Sequence, residues 1–325
     1  MSTLESTSVH FKRNDTLLML AHYKREMLEA RIPSMTIALI QSLVGVSGNA
    51  FVIHFYKRFS HRRSGLFYFI PWLAFFDITA IISIGTFSVL QDIFTMSFPS
   101  LYLCQSLWFG VVFCSSTGAF CLLLIAVQRY CFVFQKPVLN GKWHRSLVII
   151  SVLFSGLIAI PVFFMVELRD ISVARVNKKV CGDTLNEQKL LYKYSYFHCL
   201  LLLTFINIVF ITALYIRIGF KTFQMQKRQS SLSKYKRSGV KFSLMCVVVF
   251  GVYFVAYMPT YVINLLPDDT KTKLFNTPGD NSLKVVAILV AHRMLIFSHV
   301  LNPFIFFLFH ARFRKGIRKC FKCMD

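Results

Sequence analysis

The chain has 325 residues, 55% of them hydrophobic and 35 of them Phe, and it carries a formal net charge of +23. With a mean hydropathy of +0.57, it is an awkward candidate for a soluble enzyme. Nor does the basic excess mark a nucleic-acid binder: Lys and Arg sit in short loops between long apolar runs, where they suit anionic lipids and an intracellular partner.

Seven apolar runs, each about 20 or more residues long, can each cross roughly 30 Å of hydrocarbon. They fall at about 34–56, 66–90, 102–134, 146–167, 190–220, 240–266 and 283–309. The predicted fold is therefore an all-α bundle of seven transmembrane helices in one domain, residues 34–309, behind an amino-terminal segment 1–33. Of the 14 Asp and Glu, only Asp77 and Asp325 lie outside residues 1–33, 91–101, 167–193 and 267–284. Lys and Arg crowd the other connections, at Lys57–Arg63, Lys136–Arg145, Arg217–Lys241 and Arg312–Lys322. The positive-inside bias then places the amino terminus outside and the carboxyl terminus in the cytoplasm, as in a multi-pass plasma-membrane protein. No signal-peptide pattern precedes run 1, which is expected to act as its own insertion signal.

In chain order, Asn14-Asp15-Thr16 in the first segment is a glycan-acceptor sequence. Run 1 contains Gly48-Asn49, run 2 Leu73-Ala74-Phe75-Phe76-Asp77, and run 3 carries Cys104 near its start and Gln128-Arg129-Tyr130 near its end. Run 6 contains Phe254-Val255-Ala256-Tyr257-Met258-Pro259, and run 7 Asn302-Pro303-Phe304-Ile305-Phe306. Polar side chains are costly inside a membrane and usually functional there. Asn49, Asp77 and Asn302 fall near mid-membrane depth on three runs and read as one polar network. Pro259 removes a helix hydrogen bond and leaves a hinge, with Tyr253 and Tyr257 one turn apart as its packing contact. In the tail, 310–325, basic and apolar residues alternate at helical spacing, which predicts an amphipathic eighth helix with Phe313, Ile317 and Phe321 turned toward the membrane. Cys320 and Cys323 behind it are either palmitoylated or reduced thiols. Cys114, Cys121, Cys131, Cys199 and Cys246 read as small apolar core residues.

The order and spacing of these motifs, over about 34–323, resemble the rhodopsin-like (class A) G-protein-coupled receptors. Cys104 and Arg129 are separated by about 37 Å of helix, which puts one at each face of the membrane. The resemblance implies a disulfide between Cys104 and Cys181, the two cysteines expected outside, where oxidation is allowed. It implies a switch and G-protein-coupling set of Gln128, Arg129, Tyr130, Tyr215, Tyr253, Tyr257, Pro259, Asn302, Pro303 and Phe306. It also implies an ion or polar network of Asn49, Asp77, Ser298 and Asn302, in which a sodium ion would take Asp77 as its anionic ligand. No other cofactor is expected. The chain departs from the family pattern in several places. Gln128 stands where an acid is usual, Tyr257 for a Trp, Phe306 for a Tyr, Asn207 for a proline, and Gly118 where a hydroxyl is often supplied.

No metal-binding, nucleophile-turn or phosphate-cradling motif is present, so no enzyme is expected. Ile296 occupies the position of a Schiff-base Lys, which argues against an opsin, and Val111 that of the acid expected for amine ligands. The predicted pocket, Gln105, Trp108, Val111, Ser115, Tyr257, Tyr261, His292, Arg293 and Ile296, is aromatic with few charges. Arg293 meets a ligand carboxylate, the carbonyl of an amidated terminus, or Asp and carbonyl groups of neighbouring helices. Both signs of charge in 167–193 resemble the peptide receptors, and the surroundings of Arg293 and Tyr215-Ile216-Arg217-Ile218-Gly219 are loosely similar to invertebrate cholecystokinin-like neuropeptide receptors. The implied partners are a heterotrimeric G protein, an extracellular peptide and membrane lipids, with no nucleic acid. A lipid or other anionic small molecule is the alternative ligand. A seven-helix transporter or channel is the alternative class, although only Asp77 and Arg293 are intramembrane charges that would line a pathway. With a neutral Gln128 and no acid in Arg217–Lys241, Arg129 is expected to lack a carboxylate partner, and ligand-independent signalling to be elevated.

Overall fold

The computed structural model describes residues 2–60, 68–94, 96–136, 141–173, 176–184, 186–227 and 293–309, with 244, 248, 251–252, 254–260, 262–263, 266 and 270 between the last two. Its helices are α1 (Ser2–Ser60), α2 (Phe69–Ile93), α3 (Leu101–Val133), α4 (Gly141–Ala159), α5 (Val162–Met165), α6 (Glu187–Lys227), α7 (Met294–Val300) and α8 (Asn302–Phe309). Among the described residues, five helical stretches are long and apolar enough to cross a membrane: Lys24–Tyr56, Phe69–Ile93, Leu101–Val133, Lys142–Met165 and Gln188–Lys221. Met294–Leu308 is a shorter apolar helix, and residues 254–260 are a described helical part of run 6. The tail 310–325, with Cys320 and Cys323, lies outside the described residues, as do Tyr253, Tyr261, His292 and Cys246.

Several boundaries differ from the sequence reading, α4 starting at Gly141 and α6 ending at Lys227 among them, and two have a clear cause. Helix α1 begins at Ser2 and runs through Pro33 into run 1, because a proline costs one hydrogen bond without ending a helix whose other turns are satisfied. Run 4 ends at Met165 and not at 167, because Val166 opens a β-hairpin in which Val166–Val173 (β1) pairs antiparallel with Val176–Asp183 (β2).

Hydroxyls in the runs mostly bond back within their own helices. Ser42 Oγ donates to Ala38 O (2.8 Å), Thr117 Oγ1 to Phe113 O (2.8 Å) and Ser155 Oγ to Ser151 O (2.8 Å). Such groups need no interhelical partner in hydrocarbon. Amides, imidazoles and carboxylates do, and they draw the helices together. Close approach is allowed by glycine: a Cβ on Gly45 would lie 2.6 Å from Ile81 Cδ1 and 2.8 Å from Val300 Cγ2, so α1 seats directly on α2 and α7. The buried core runs through α1, α2, α3, α4, α6, residues 254–260, α7 and α8, from Ala38 to Phe306. Large apolar side chains such as Leu43, Leu157, Phe164 and Phe205 stay exposed and form the surface that meets lipid.

The hairpin is tied to the bundle at one end. Cys181 is bonded to Cys104 at the start of α3, with Cα atoms 5.7 Å apart. Gln105 Nε2 donates to Phe163 O (2.9 Å) and Val166 O (3.2 Å), while Lys179 exchanges backbone hydrogen bonds of 2.8 Å with Met96 and Phe98. Asp183 pairs with Arg169 and lies 2.7 Å from Lys193, whose side chain is fully buried. This is the hairpin end. The opposite, basic end carries Arg129 and Tyr215.

Candidate functional site

Below the hairpin, α3, α6, residues 254–260 and α7 enclose a cavity of about 100 Å³. Of the pocket predicted from sequence, Trp108, Val111, Ser115 and Tyr257 line it, together with Phe120, Phe197, Thr204, Asn207, Thr260 and Leu295. Among the described residues, none that lines it is charged. The indole Nε1 of Trp108 and the hydroxyl of Thr260 have no partner among the described residues, so both can meet a polar group entering from above.

Three predicted pocket residues are placed elsewhere. Gln105 is occupied with the hairpin, as above. Ile296 is fully buried in the helix core, because its neighbour Leu295 takes the position facing the cavity. Arg293 turns toward α1 and α2: its Nη2 lies 2.5 Å from Asp92 Oδ2, and its Nε donates to Ser34 Oγ at 2.8 Å. Arg31 holds the other oxygen of Asp92 at 3.0 Å. Of the partners left open for Arg293, the structure gives it a helix aspartate. A guanidinium buried this deeply needs a fixed counter-charge, and α2 supplies one.

The second cluster lies deeper. Asp77 is 1% exposed. Its Oδ1 accepts from His299 Nδ1 (2.7 Å) and its Oδ2 from Asn302 Nδ2 (2.6 Å). His299 Nε2 in turn lies 3.4 Å from the hydroxyl of Tyr257. Pro303 has no N–H, so the carbonyl of His299 loses its usual helix donor. Asn49 Nδ2 replaces it at 3.0 Å and also bonds Gly45 O at 3.0 Å. Ser298, placed in this network by sequence, donates instead to Leu295 O in its own turn (2.8 Å).

The donor set does not fit the sodium ion expected at Asp77. A hard cation takes oxygen ligands, yet both carboxylate oxygens face nitrogens, Ser298 Oγ is turned to Leu295 O in its own helix, and residue 118 has no side chain. Among the described residues, the side-chain carbonyl oxygens of Asn49 and Asn302 are left without a hydrogen-bond donor, and they are the oxygens that remain for a cation here.

At the basic end Arg129 is 3% and Gln128 6% exposed. Gln128 Nε2 meets His144 Nε2 at 3.3 Å, and His144 is stacked on Tyr68 (5.0 Å) and edge-on to Phe69 (5.2 Å). Tyr130 stacks on Phe134 with ring centroids 4.4 Å apart. Tyr215 is buried, and Phe306 packs edge-on against Tyr56 (6.3 Å). Pro259 is half-buried in the helix of residues 254–260, and Pro303 is buried just after Asn302.

The family model for the seven-transmembrane receptors of the rhodopsin family matches residues 48–306, most of the bundle just described. The chain belongs to this family. It is a multi-pass membrane receptor with the family's seven-helix bundle, and not an enzyme. It is also similar to somatostatin receptor type 5 of Rattus norvegicus, 23% identical over 288 residues that cover 86% of this chain and 75% of the relative. A second relative is the substance-K receptor of Mus musculus, 24% identical over 303 residues, 86% of this chain and 73% of the relative.

Sequence reasoning missed four residues that organise the receptor: Arg31, Asp92, His144 and His299. The signal for His299 was present, since it adjoins Ser298, lies three residues before Asn302 and sits in a run with few other polar groups. Asp92 was visible as the lone acid at the end of run 2. Nothing in the sequence paired it with residues as remote as 31 and 293.

Proposed function

We propose that the chain is a plasma-membrane receptor for a short neuropeptide, with its amino terminus outside, and that it couples ligand binding to nucleotide exchange on a heterotrimeric G protein. The uncharged, largely apolar cavity beneath a charged hairpin carries this reading. A neutral, aromatic or amidated peptide end suits the cavity, with the Trp108 N–H and the Thr260 hydroxyl as partners for its carbonyl or amide. The rest of the peptide would meet the mixed charges of Glu167–Asp183. The names of the two relatives, receptors for somatostatin and substance K, support a peptide. The anionic small-molecule alternative drew on Arg293, and Arg293 is engaged by Asp92 and Ser34.

Binding energy at the cavity would favour an arrangement of Tyr257 and Pro259 that opens the basic end, where Arg129, Tyr130 and Tyr215 form the G-protein cradle. Asn14 is proposed as a glycan site and Cys320 and Cys323 as lipid anchors of the tail. The test is a library of short peptides applied to cells expressing the chain, with calcium and cyclic AMP read together, followed by nucleotide exchange on purified G protein. A peptide that stimulates exchange is the expected result. Solute flux in liposomes without any exchange would overturn it.

A further inference from the structure

The Asp77 network holds a ring where the family resemblance led us to expect an ion. His299 Nδ1 reaches Asp77 Oδ1 at 2.7 Å, and an ionised Asp77 only accepts, so in that state this nitrogen carries the proton. The ring packs beside residue 118, where a Cβ would stand 3.7 Å from His299 Cε1, in ordinary van der Waals contact. The ring is also held from behind: Asn49 on α1 fixes the carbonyl of residue 299, and Pro303 leaves that carbonyl free to be fixed. Its far nitrogen ends 3.4 Å from the Tyr257 hydroxyl, on the run that carries Pro259.

We propose that His299 takes the place of a cation in the Asp77 network, so that the core of this receptor is closed to sodium and Asp77 is tied through the imidazole to Tyr257. Among the described residues, the groups that meet the two carboxylate oxygens are the nitrogens of His299 and Asn302. Exchange of the ring for a small hydroxyl, with a hydroxyl restored at 118, would free Asp77 Oδ1 and supply two oxygens in its place.

The experiment is thermal unfolding of the purified full chain in lipid nanodiscs, in sodium chloride and in choline chloride at equal ionic strength. It needs neither ligand nor G protein, so its outcome is independent of the proposed coupling. The native chain is expected to melt at the same temperature in both salts. The Gly118→Ser/His299→Ser variant is expected to melt roughly 2 °C higher in sodium, the rise that site occupancy gives a protein of this size. His299→Asn, which keeps a donor for Asp77 and adds a carbonyl oxygen, should gain a smaller rise and serves if the double variant does not fold. A sodium-dependent rise in the native chain would overturn the proposal. So would native insensitivity that persists in the folded His299 variants, because the exclusion would then not be the work of His299.

Discussion

At the hairpin end, Asp92 holds Arg31 and Arg293 at 3.0 and 2.5 Å, Asp183 holds Lys193 and Arg169, and a disulfide pins Cys181 to Cys104. At the basic end, Gln128 meets His144 at 3.3 Å and Phe306 meets Tyr56 ring to edge. The difference is set by composition, since no acid but Asp325 falls among the basic connections. Charge pairs in a low-dielectric interior are directional and costly to separate, whereas neutral side chains exchange partners at little cost. The hairpin end is therefore a fixed frame, and the basic end is the part able to open.

The largest break in this contrast should come from Asp92→Asn, which leaves two buried guanidinium groups without their shared counter-charge. Loss of about 3 to 5 kcal/mol is expected from removing one partner of a buried pair. It would be read as lost surface expression and a lowered melting temperature. Arg293→Met added to Asp92→Asn should restore part of the loss; no recovery would mean that the cluster does not act as a unit. Next in size, Cys104→Ser or Cys181→Ser should cost about 2 to 4 kcal/mol. The double variant should be no worse than either single one, since both remove the same bond.

The frame was legible in part. Run length and acid placement showed the spans and the two ends, because burial depth along a helix is written in hydropathy. What hydropathy does not encode is which way a side chain points around the helix axis. Arg293, in the outer half of run 7, was compatible with the cavity and with α2, and a rotation of one residue position separates the two. Cys199, read as a core residue, is exposed on α6 for the same reason. The hairpin escaped notice because charged residues interrupt its alternation, as in Val166-Glu167-Leu168-Arg169-Asp170-Ile171. A histidine such as His299 reads as ordinary core until the proline four residues on and the carboxylate on α2 are seen together.

Lys178 offers a smaller break, one that depends on pH. Burial, with the Arg31 guanidinium next, pushes its ammonium down to about 8 from an ordinary 10.5. Between these values the unfolded chain binds more protons than the folded one, so stability should rise with pH from about 8 to 10.5. Below about 8 the folded state carries the full cost of the buried charge. Lys178→Met, similar in length and uncharged, should raise the melting temperature at neutral pH and flatten its pH dependence above 8. A variant that melts lower than the native chain at neutral pH would show that the charge itself holds the hairpin.

The smallest expected effect lies at the basic end, where the contrast can be erased by adding what that end lacks. Gln128→Glu places a carboxylate beside the buried Arg129, and after the desolvation cost of a buried pair its net contribution is taken as about 1 kcal/mol. If the resting arrangement gains that amount, basal nucleotide exchange should fall roughly fivefold at matched surface expression, with the maximal ligand response largely kept. His144 complicates the result, because its ring already faces position 128 at 3.3 Å and would compete with Arg129 for the new carboxylate. Replacing it as well, in Gln128→Glu/His144→Phe, keeps an aromatic ring between Tyr68 and Phe69 and removes the competitor. Basal exchange should then fall further than in Gln128→Glu alone. Unchanged or higher basal exchange in both variants would sink the idea that a missing acid sets the resting state, and would move that role to packing among Tyr56, Phe306 and Tyr257.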